Sequence, residues 1–237
     1  MEDLIVINGL SYSYGKKKGY PVYALENLSL NLSPGKVVGI LGPNGSGKTT
    51  LIKILNGLLV PTEGEVRING YHPGIETKAL VSYLPERTYL QAGRTVRQML
   101  DYFADFYPDF SRERAETMLR SLGIEEEAAL KTLSKGTREK VQLILVMSRD
   151  ARVYILDEPI AGVDPAARDY IIRTIIQNYN EDAVVLLATH LITDVEAILD
   201  EVVFIKEGKK VLHSTVEEIR EKQGKSIDAY FREVFAC

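Results

Sequence analysis

The residues with the clearest chemical content are Gly42-Pro43-Asn44-Gly45-Ser46-Gly47-Lys48-Thr49. They fill the spacing G-x-x-x-x-G-K-[ST] between an apolar strand, Val37 to Leu41, and a helical stretch predicted over Thr50 to Leu58. Glycines there let the backbone wind so that successive N–H groups point inward, an anion nest at a helix N-terminus. The ligand this predicts is a nucleotide phosphate chain held from Gly42 to Thr50. Lys48 is expected to reach the β- and γ-phosphates, and the Thr49 hydroxyl to ligate Mg²⁺. A plain glycine-rich turn with a surface lysine would not need every motif position filled.

A second set follows a later strand. Val153 to Leu156 runs into Asp157-Glu158-Pro159. In an open parallel sheet, ligands gather at the carboxyl ends of the strands, the edge from which a phosphate loop also springs. Asp157 is therefore expected to support Mg²⁺ and Glu158 to act as base on an attacking water. Two adjacent acids after a strand usually mean a turn; beside a phosphate loop they mean chemistry. His190 ends the next strand after Ala188-Thr189, placed to contact the γ-phosphate and to orient the water and Glu158.

The elements that must hold these residues are legible in the pattern. Val37 to Leu41, Val153 to Leu156 and Ala183 to Ala188 are continuous apolar runs without alternation, as strands covered on both faces by crossover helices are. Ahead of them, Leu4 to Asn8 and the alternation through Leu25, Leu28, Leu30 and Leu32 predict N-terminal strands, with Lys16-Lys17-Lys18-Gly19 as a hairpin tip. From Glu86 to Asp150 the chain reads as helical. Thr95 and Gln98 form a capping box before a helix over Val96 to Phe106, another helix follows Ser111, and a third runs from about Thr137 to Ser148. From Glu201 two short strands return, and Ser214 with Glu217 predicts a cap before a final helix. This is an α/β fold: a mainly parallel sheet with flanking helices, an N-terminal β portion and an inserted helical subdomain. The division is 1–85, 86–150 and 151–237 within one domain.

Composition narrows the class further. With 237 residues, 29 Lys and Arg against 33 Asp and Glu, a net charge of −4 argues against a nucleic-acid binder that works by bulk charge. The single Cys237 allows no intrachain disulfide and fits a reducing compartment. No apolar run approaches the roughly 20 residues of a membrane span. The acidic start Met1-Glu2-Asp3 fits neither a signal nor a transit peptide.

In this order, the motifs resemble those of the nucleotide-binding subunit of ATP-binding-cassette (ABC) transporters, over nearly the whole chain. Leu133-Ser134-Lys135-Gly136-Thr137 is similar to the family signature LSGGQ at a helix N-terminus, where a hydroxyl and backbone N–H groups make a second phosphate site. The resemblance implies that Ser134, Lys135 and Gly136 serve a nucleotide held by an opposite protomer, so that two ATP molecules are sandwiched in a homodimer or heterodimer. It further implies that Tyr14 stacks on adenine, that Ala161-Gly162-Val163-Asp164 lines the dimer interface, and that His190 is the switch histidine.

Three departures stand out: Lys135 where the family has Gly, Thr137 where it has Gln, and Glu86, in Leu84-Pro85-Glu86, where a metal-contacting Gln is expected. Glu86 still offers an oxygen to Mg²⁺. Glu86 and Lys135 resemble a branch of bacterial export-type cassettes. The implied protein is thus the Mg²⁺-dependent ATPase subunit of an exporter, cytoplasmic and peripheral on the inner face of the membrane, powering a separate membrane-spanning subunit. The alternative is a soluble ABC-type ATPase acting on a protein assembly, the ribosome or DNA. A single cassette, without a heptad insertion or a Cys cluster, weighs against it. Between Tyr89 and Phe110 lie six of the 19 aromatics. Val96, Met99, Leu100, Phe103 and Phe106 recur at helical spacing, so most of them are expected in the core; the functional alternative is that Tyr89, Tyr102 or Tyr107 borders a groove for a partner helix.

Overall fold

The computed structural model describes residues 3–17, 19–161, 163 and 165–236. Two sheets organise it. In the smaller, β1 (Ile5–Lys17) lies between β2 (Tyr20–Leu32) and β4 (Glu63–Ile68), all antiparallel. Pairing from Ile5↔Leu32 out to Lys17↔Tyr20 puts the hairpin tip where the lysine run predicts it. Lys18 itself lies outside the described residues.

The larger sheet has six strands in the order β5-β6-β7-β3-β8-β9: β3 (Lys36–Leu41), β5 (Val81–Leu84), β6 (Val153–Asp157), β7 (Val184–Thr189), β8 (Glu201–Lys206) and β9 (Lys209–Thr215). All neighbours run parallel except the β8–β9 hairpin. The three apolar runs are the central strands, with β6 and β7 buried at every position. Their side chains feed two cores. Leu156, Leu187 and Phe204 belong to one, while Ile155, Leu186 and Ile40 join the small sheet and α1 (Lys48–Leu55) in the other.

Between β5 and β6 come α3 (Val96–Phe106), α4 (Arg112–Ser121) and α5 (Lys135–Met147), with a core of their own around Leu100, Phe103, Leu119 and Ile144. The capping box is made as expected: Gln98 N donates to Thr95 Oγ1 at 3.3 Å and Thr95 N to Gln98 Oε1 at 3.0 Å. Ser111 caps α4 through its side chain.

Several expectations are corrected. The first helix closes at Leu55, because Gly57 leaves helical space at φ 66°. Strand β4, short α2 (Ile75–Leu80) and strand β5 have no counterpart among the elements the sequence predicts. Ser214 does not cap the helix after β9: the strand pairing runs on through Thr215, opposite Glu201, so Thr215 is the junction residue and accepts from Glu218 N, while the Ser214 hydroxyl donates to Glu218 Oε2. That helix, Val216–Gln223, is not the last. Gly224, at φ 61°, ends it and Ser226 caps a further helix, Ile227–Phe235. Of the helical repeat, Val96, Met99, Leu100 and Phe103 are buried as expected, while Phe106 is 64% exposed and stacks on Tyr102 at 5.3 Å.

Candidate nucleotide site

The phosphate loop joins β3 to α1. Gly45 and Gly47 stand at φ 79° and 111°, backbone that L side chains rarely adopt. Space is as restrictive as angle. A Cβ on Gly42 would lie 2.4 Å from Ile205 O and 2.5 Å from Ser46 Oγ, and one on Gly47 would lie 2.6 Å from Ala24 O. Pro43, Asn44 and Gly45 are exposed at the turn, while Ser46 and Thr50 are buried beneath it. Ser46 Oγ is buried without a hydrogen-bond partner. A cradle closed to side chains and an unsatisfied polar atom in it fit an anionic ligand.

Lys48 is nearly buried. Its Nζ folds back on the loop, donating to Gly42 O at 2.6 Å and Pro43 O at 3.1 Å. Burial lowers its pKa, opposed by the charges of Glu158 and Asp157. Those two acids therefore stand within electrostatic reach of the loop, as the parallel sheet requires. β6 and β7 are neighbours, with Asp157 opposite Ala188, so Glu158, Thr189 and His190 meet at the same edge.

Glu158 takes the unusual φ of 52° for a non-glycine. Its N–H donates to Ala188 O, holding the turn against β7. The carboxylate is held at both oxygens: Thr189 Oγ1 donates to Oε2 at 2.9 Å, and His190 Nδ1 lies 2.8 Å from Oε1. Thr189 went unnoticed in the sequence. As the residue before His190 on a covered strand, it reads as core, and only the register with β6 gives its hydroxyl a task. Asp157 is buried, and desolvation first, then the neighbouring Glu158 and Glu86, push its carboxyl up to about 6. Tyr83 on β5 is pushed up to about 12, mainly by burial, with Asp157 and Glu86 adding to it. Glu86 thus shares the acidic edge with Asp157.

Thr49 faces outward at the start of α1. Its hydroxyl and the Asp157 carboxylate are hard oxygen donors that suit magnesium, and a divalent cation would stabilise the charged form of a carboxyl that burial disfavours. Among the described residues no three or more His, Cys, Asp or Glu converge into a metal cage. An ion held largely by water and phosphate needs none.

Tyr14 is exposed and stands beside the loop, its hydroxyl 3.3 Å from Thr50 Oγ1 and its ring edge-on to Tyr12 at 4.9 Å. Ser134 is the N-cap of α5. Its Oγ accepts from Thr137 N at 3.1 Å and pairs with Thr137 Oγ1 at 2.8 Å. Lys135 reaches Glu139 at 3.7 Å across one helical turn, and Gly136 has open space around it. Among the described residues no hydrogen bond or ion pair joins Ser134–Gly136 to Gly42–Thr50. Asp164 and Gly162 lie outside those residues.

A family model described as ABC transporter matches residues 25–161. The chain belongs to the ABC transporter family. As an ABC cassette it is an ATP-binding subunit with an ATPase domain. It is 30% identical to the SkfA peptide export ATP-binding protein SkfE of Bacillus subtilis, over 92% of this chain and 92% of that protein. It is 32% identical to an ABC transporter ATP-binding protein of Synechocystis over 88% of this chain, but spans only 61% of that relative's length. A solved ATP-binding subunit of an ABC transporter superposes with a TM-score of 0.83 at 29% identity, over 98% of this chain and 99% of that one. A dimeric cassette in a post-hydrolysis state, bound to ADP and phosphate, shares the fold at a TM-score of 0.77 and 22% identity, over 89% of this chain and 98% of that one.

The cassette has a second concavity of about 800 Å³ between the helical block and the sheet, walled by Leu58, Ile75, Tyr89, Tyr102, Phe106 and Tyr107. The three tyrosines named from sequence as groove-bordering all line it. Arg149 also lines it. Among the described residues no helix is long and apolar enough to cross a membrane.

Proposed function

We propose that this cassette hydrolyses ATP with Mg²⁺ and drives a separate membrane-spanning subunit, as an export system. The observation that carries the catalytic reading is the Glu158 carboxylate clamped by Thr189 and His190 at the sheet edge that also bears the phosphate loop. Tyr14 stacks on adenine, and Gly42 to Thr50 wrap the phosphates. Lys48 exchanges the carbonyls of Gly42 and Pro43 for phosphate oxygens, a charge already placed where negative charge develops. Thr49 and Asp157, with Glu86 beside them, hold the metal, which when bound neutralises phosphate charge. Glu158 accepts the proton of the attacking water, and His190 fixes the orientation of its Oε1.

The site is completed in a dimer of cassettes, homodimeric or heterodimeric. Ser134, Lys135 and Gly136 cap the nucleotide of the opposite cassette, with Asp164 along the seam. The lack of any hydrogen bond or ion pair between them and the phosphate loop of the same chain, among the described residues, is compatible with this reading. A catalytic core, 1–85 and 151–237, is then interrupted by a helical subdomain, 86–150, whose seating closes the shared site. Closure draws only on the difference in nucleotide affinity between closed and open states. The aromatic groove receives the cytoplasmic face of the membrane subunit, which places the cassette peripherally on the inner face of the membrane. Export is supported by Glu86 and Lys135 and by two relatives, SkfE and the linearmycin resistance protein LnrL of Bacillus subtilis, 26% identical over 93% of this chain. Cell fractionation with affinity capture tests the membrane assignment. Recovery with a multi-span protein supports it; a wholly soluble pool with no membrane protein bound refutes it.

A further inference from the structure

Gln142 lies on α5 about two turns beyond the Ser134 cap. It is 2% exposed, and its Oε1 is buried with no hydrogen-bond partner. A buried acceptor left unpaired costs about 1–3 kcal/mol, a cost that a leucine of similar volume would avoid. The surroundings give the amide a task. Gln142 lines a cavity of about 30 Å³ with Glu86, Glu139, Asp157 and Glu158. Glu158 is held by Thr189 and His190, and Glu139 faces Lys135. Glu86 and Asp157 remain, two acids that repel across the metal edge. A primary amide carries both donors and an acceptor, so it can bind a carboxylate through N–H and a water through Oε1.

We infer that Gln142 is a positioning residue for the metal edge: its amide orients the Glu86 carboxylate, supplying from α5 the neutral amide that the family pattern places at position 86. The inference rests on the ATPase reading above. Because α5 carries Ser134 at its start and Gln142 further along, a movement of the helical block that seats Ser134 on the opposite nucleotide also sets the amide against Glu86. The seating of the block is thereby read at the catalytic edge.

The test compares the full-length parent with Gln142→Leu, Gln142→Glu, Glu86→Gln and the swapped pair Glu86→Gln/Gln142→Glu. Mn²⁺ affinity is read by electron paramagnetic resonance with a nonhydrolysable ATP analogue, beside kcat and KM. Residues that orient metal ligands are worth about 10–100-fold in metal affinity or activity, so Gln142→Leu should weaken Mn²⁺ and lower kcat by about tenfold or more. Its metal-free analogue affinity should stay within about twofold of the parent and its Tm should not fall, which separates positioning from packing. Gln142→Glu, with two acids across the cavity, should be worse, and the swap should recover most of the loss. Parent-like Mn²⁺ affinity and kcat in Gln142→Leu, or a swap no better than the product of its single changes, would overturn the inference. If Glu158→Gln abolishes turnover while Gln142→Leu does not, the Gln142 assignment alone falls. If Glu158→Gln turns over like the parent, the ATPase reading falls and takes this inference with it.

Discussion

Arg149 is the side chain that ties the helical block to the sheet, and its removal gives a stability prediction. It is 2% exposed, and donates to both carboxylate oxygens of Asp109 at 3.0 and 2.9 Å, to Ala79 O at 2.7 Å and to Val81 O at 2.6 Å. Its guanidinium carbon sits 3.8 Å from the centre of the Tyr107 ring. Removing one partner of a buried pair costs about 3–5 kcal/mol, because the other is left uncompensated. Asp109 is 24% exposed, so water recovers part of that. The two orphaned carbonyls would add roughly 1 kcal/mol each, but water entering the space the side chain vacates offsets most of that and part of the pair's loss, which leaves Arg149→Ala at about 3–4 kcal/mol overall. For a chain of this size, each kcal/mol moves Tm by about 2–4 °C, so calorimetry should show a fall of roughly 6–16 °C. Replacing both members, Arg149→Met with Asp109→Leu, should lie closer to the parent than Arg149→Ala does, since no charge is then stranded. A Tm for Arg149→Ala within 2 °C of the parent (about 1 kcal/mol or less) would refute the reasoning. So would a double variant no better than the single one.

Other consequences follow from the same geometry. Gly42→Ala places a Cβ 2.4 Å from Ile205 O, so nucleotide affinity measured by titration calorimetry should be lost, and parent-like binding would remove the cradle argument. Tyr14→Ala should weaken ATP by about fivefold to tenfold while Tyr14→Phe stays near the parent, as loss of roughly 1 kcal/mol of ring contact requires; equal affinities for all three would take Tyr14 out of the site. Because the folded-state pKa of Asp157 is raised from 3.8 to about 6, the folded chain retains between those values a proton that the unfolded chain has released. Stability of the ligand-free protein should therefore fall as pH rises through that window, and Asp157→Asn should flatten the profile and gain on the order of 2 kcal/mol near neutral pH. Superimposable denaturation profiles would contradict the raised carboxyl.

The parallel sheet, and the placing of the phosphate loop, Glu158 and His190 at one edge of it, were legible because they rest on unambiguous signals. Apolar runs without alternation mark covered strands, and the phosphate loop fills every position of its spacing. Signals that depend on register were not legible. Thr189 is a core-type residue until β7 is set beside β6, and the cap at Thr215 is displaced from Ser214 by one more strand pairing. β5 has only four residues, Val81-Ser82-Tyr83-Leu84, too few for a periodicity to show. Phe106 follows the helical spacing of its buried neighbours and still faces the groove, because a repeat of apolar residues does not say where the covered face ends. Gln142 gave no signal at all, since one amide in a helix is silent until its burial and its acidic neighbours are known.

The central claim is that Glu158, held by Thr189 and His190, is the base for ATP hydrolysis at the edge shared with the phosphate loop. The most direct measurement is Mg²⁺-ATP turnover of Glu158→Gln against the parent, with ATP affinity determined on the same preparations. General-base catalysis is worth about 10²–10⁴-fold, so turnover should fall by at least about a hundredfold while ATP affinity is kept. A Gln variant that hydrolyses ATP at the parent's rate would contradict the account.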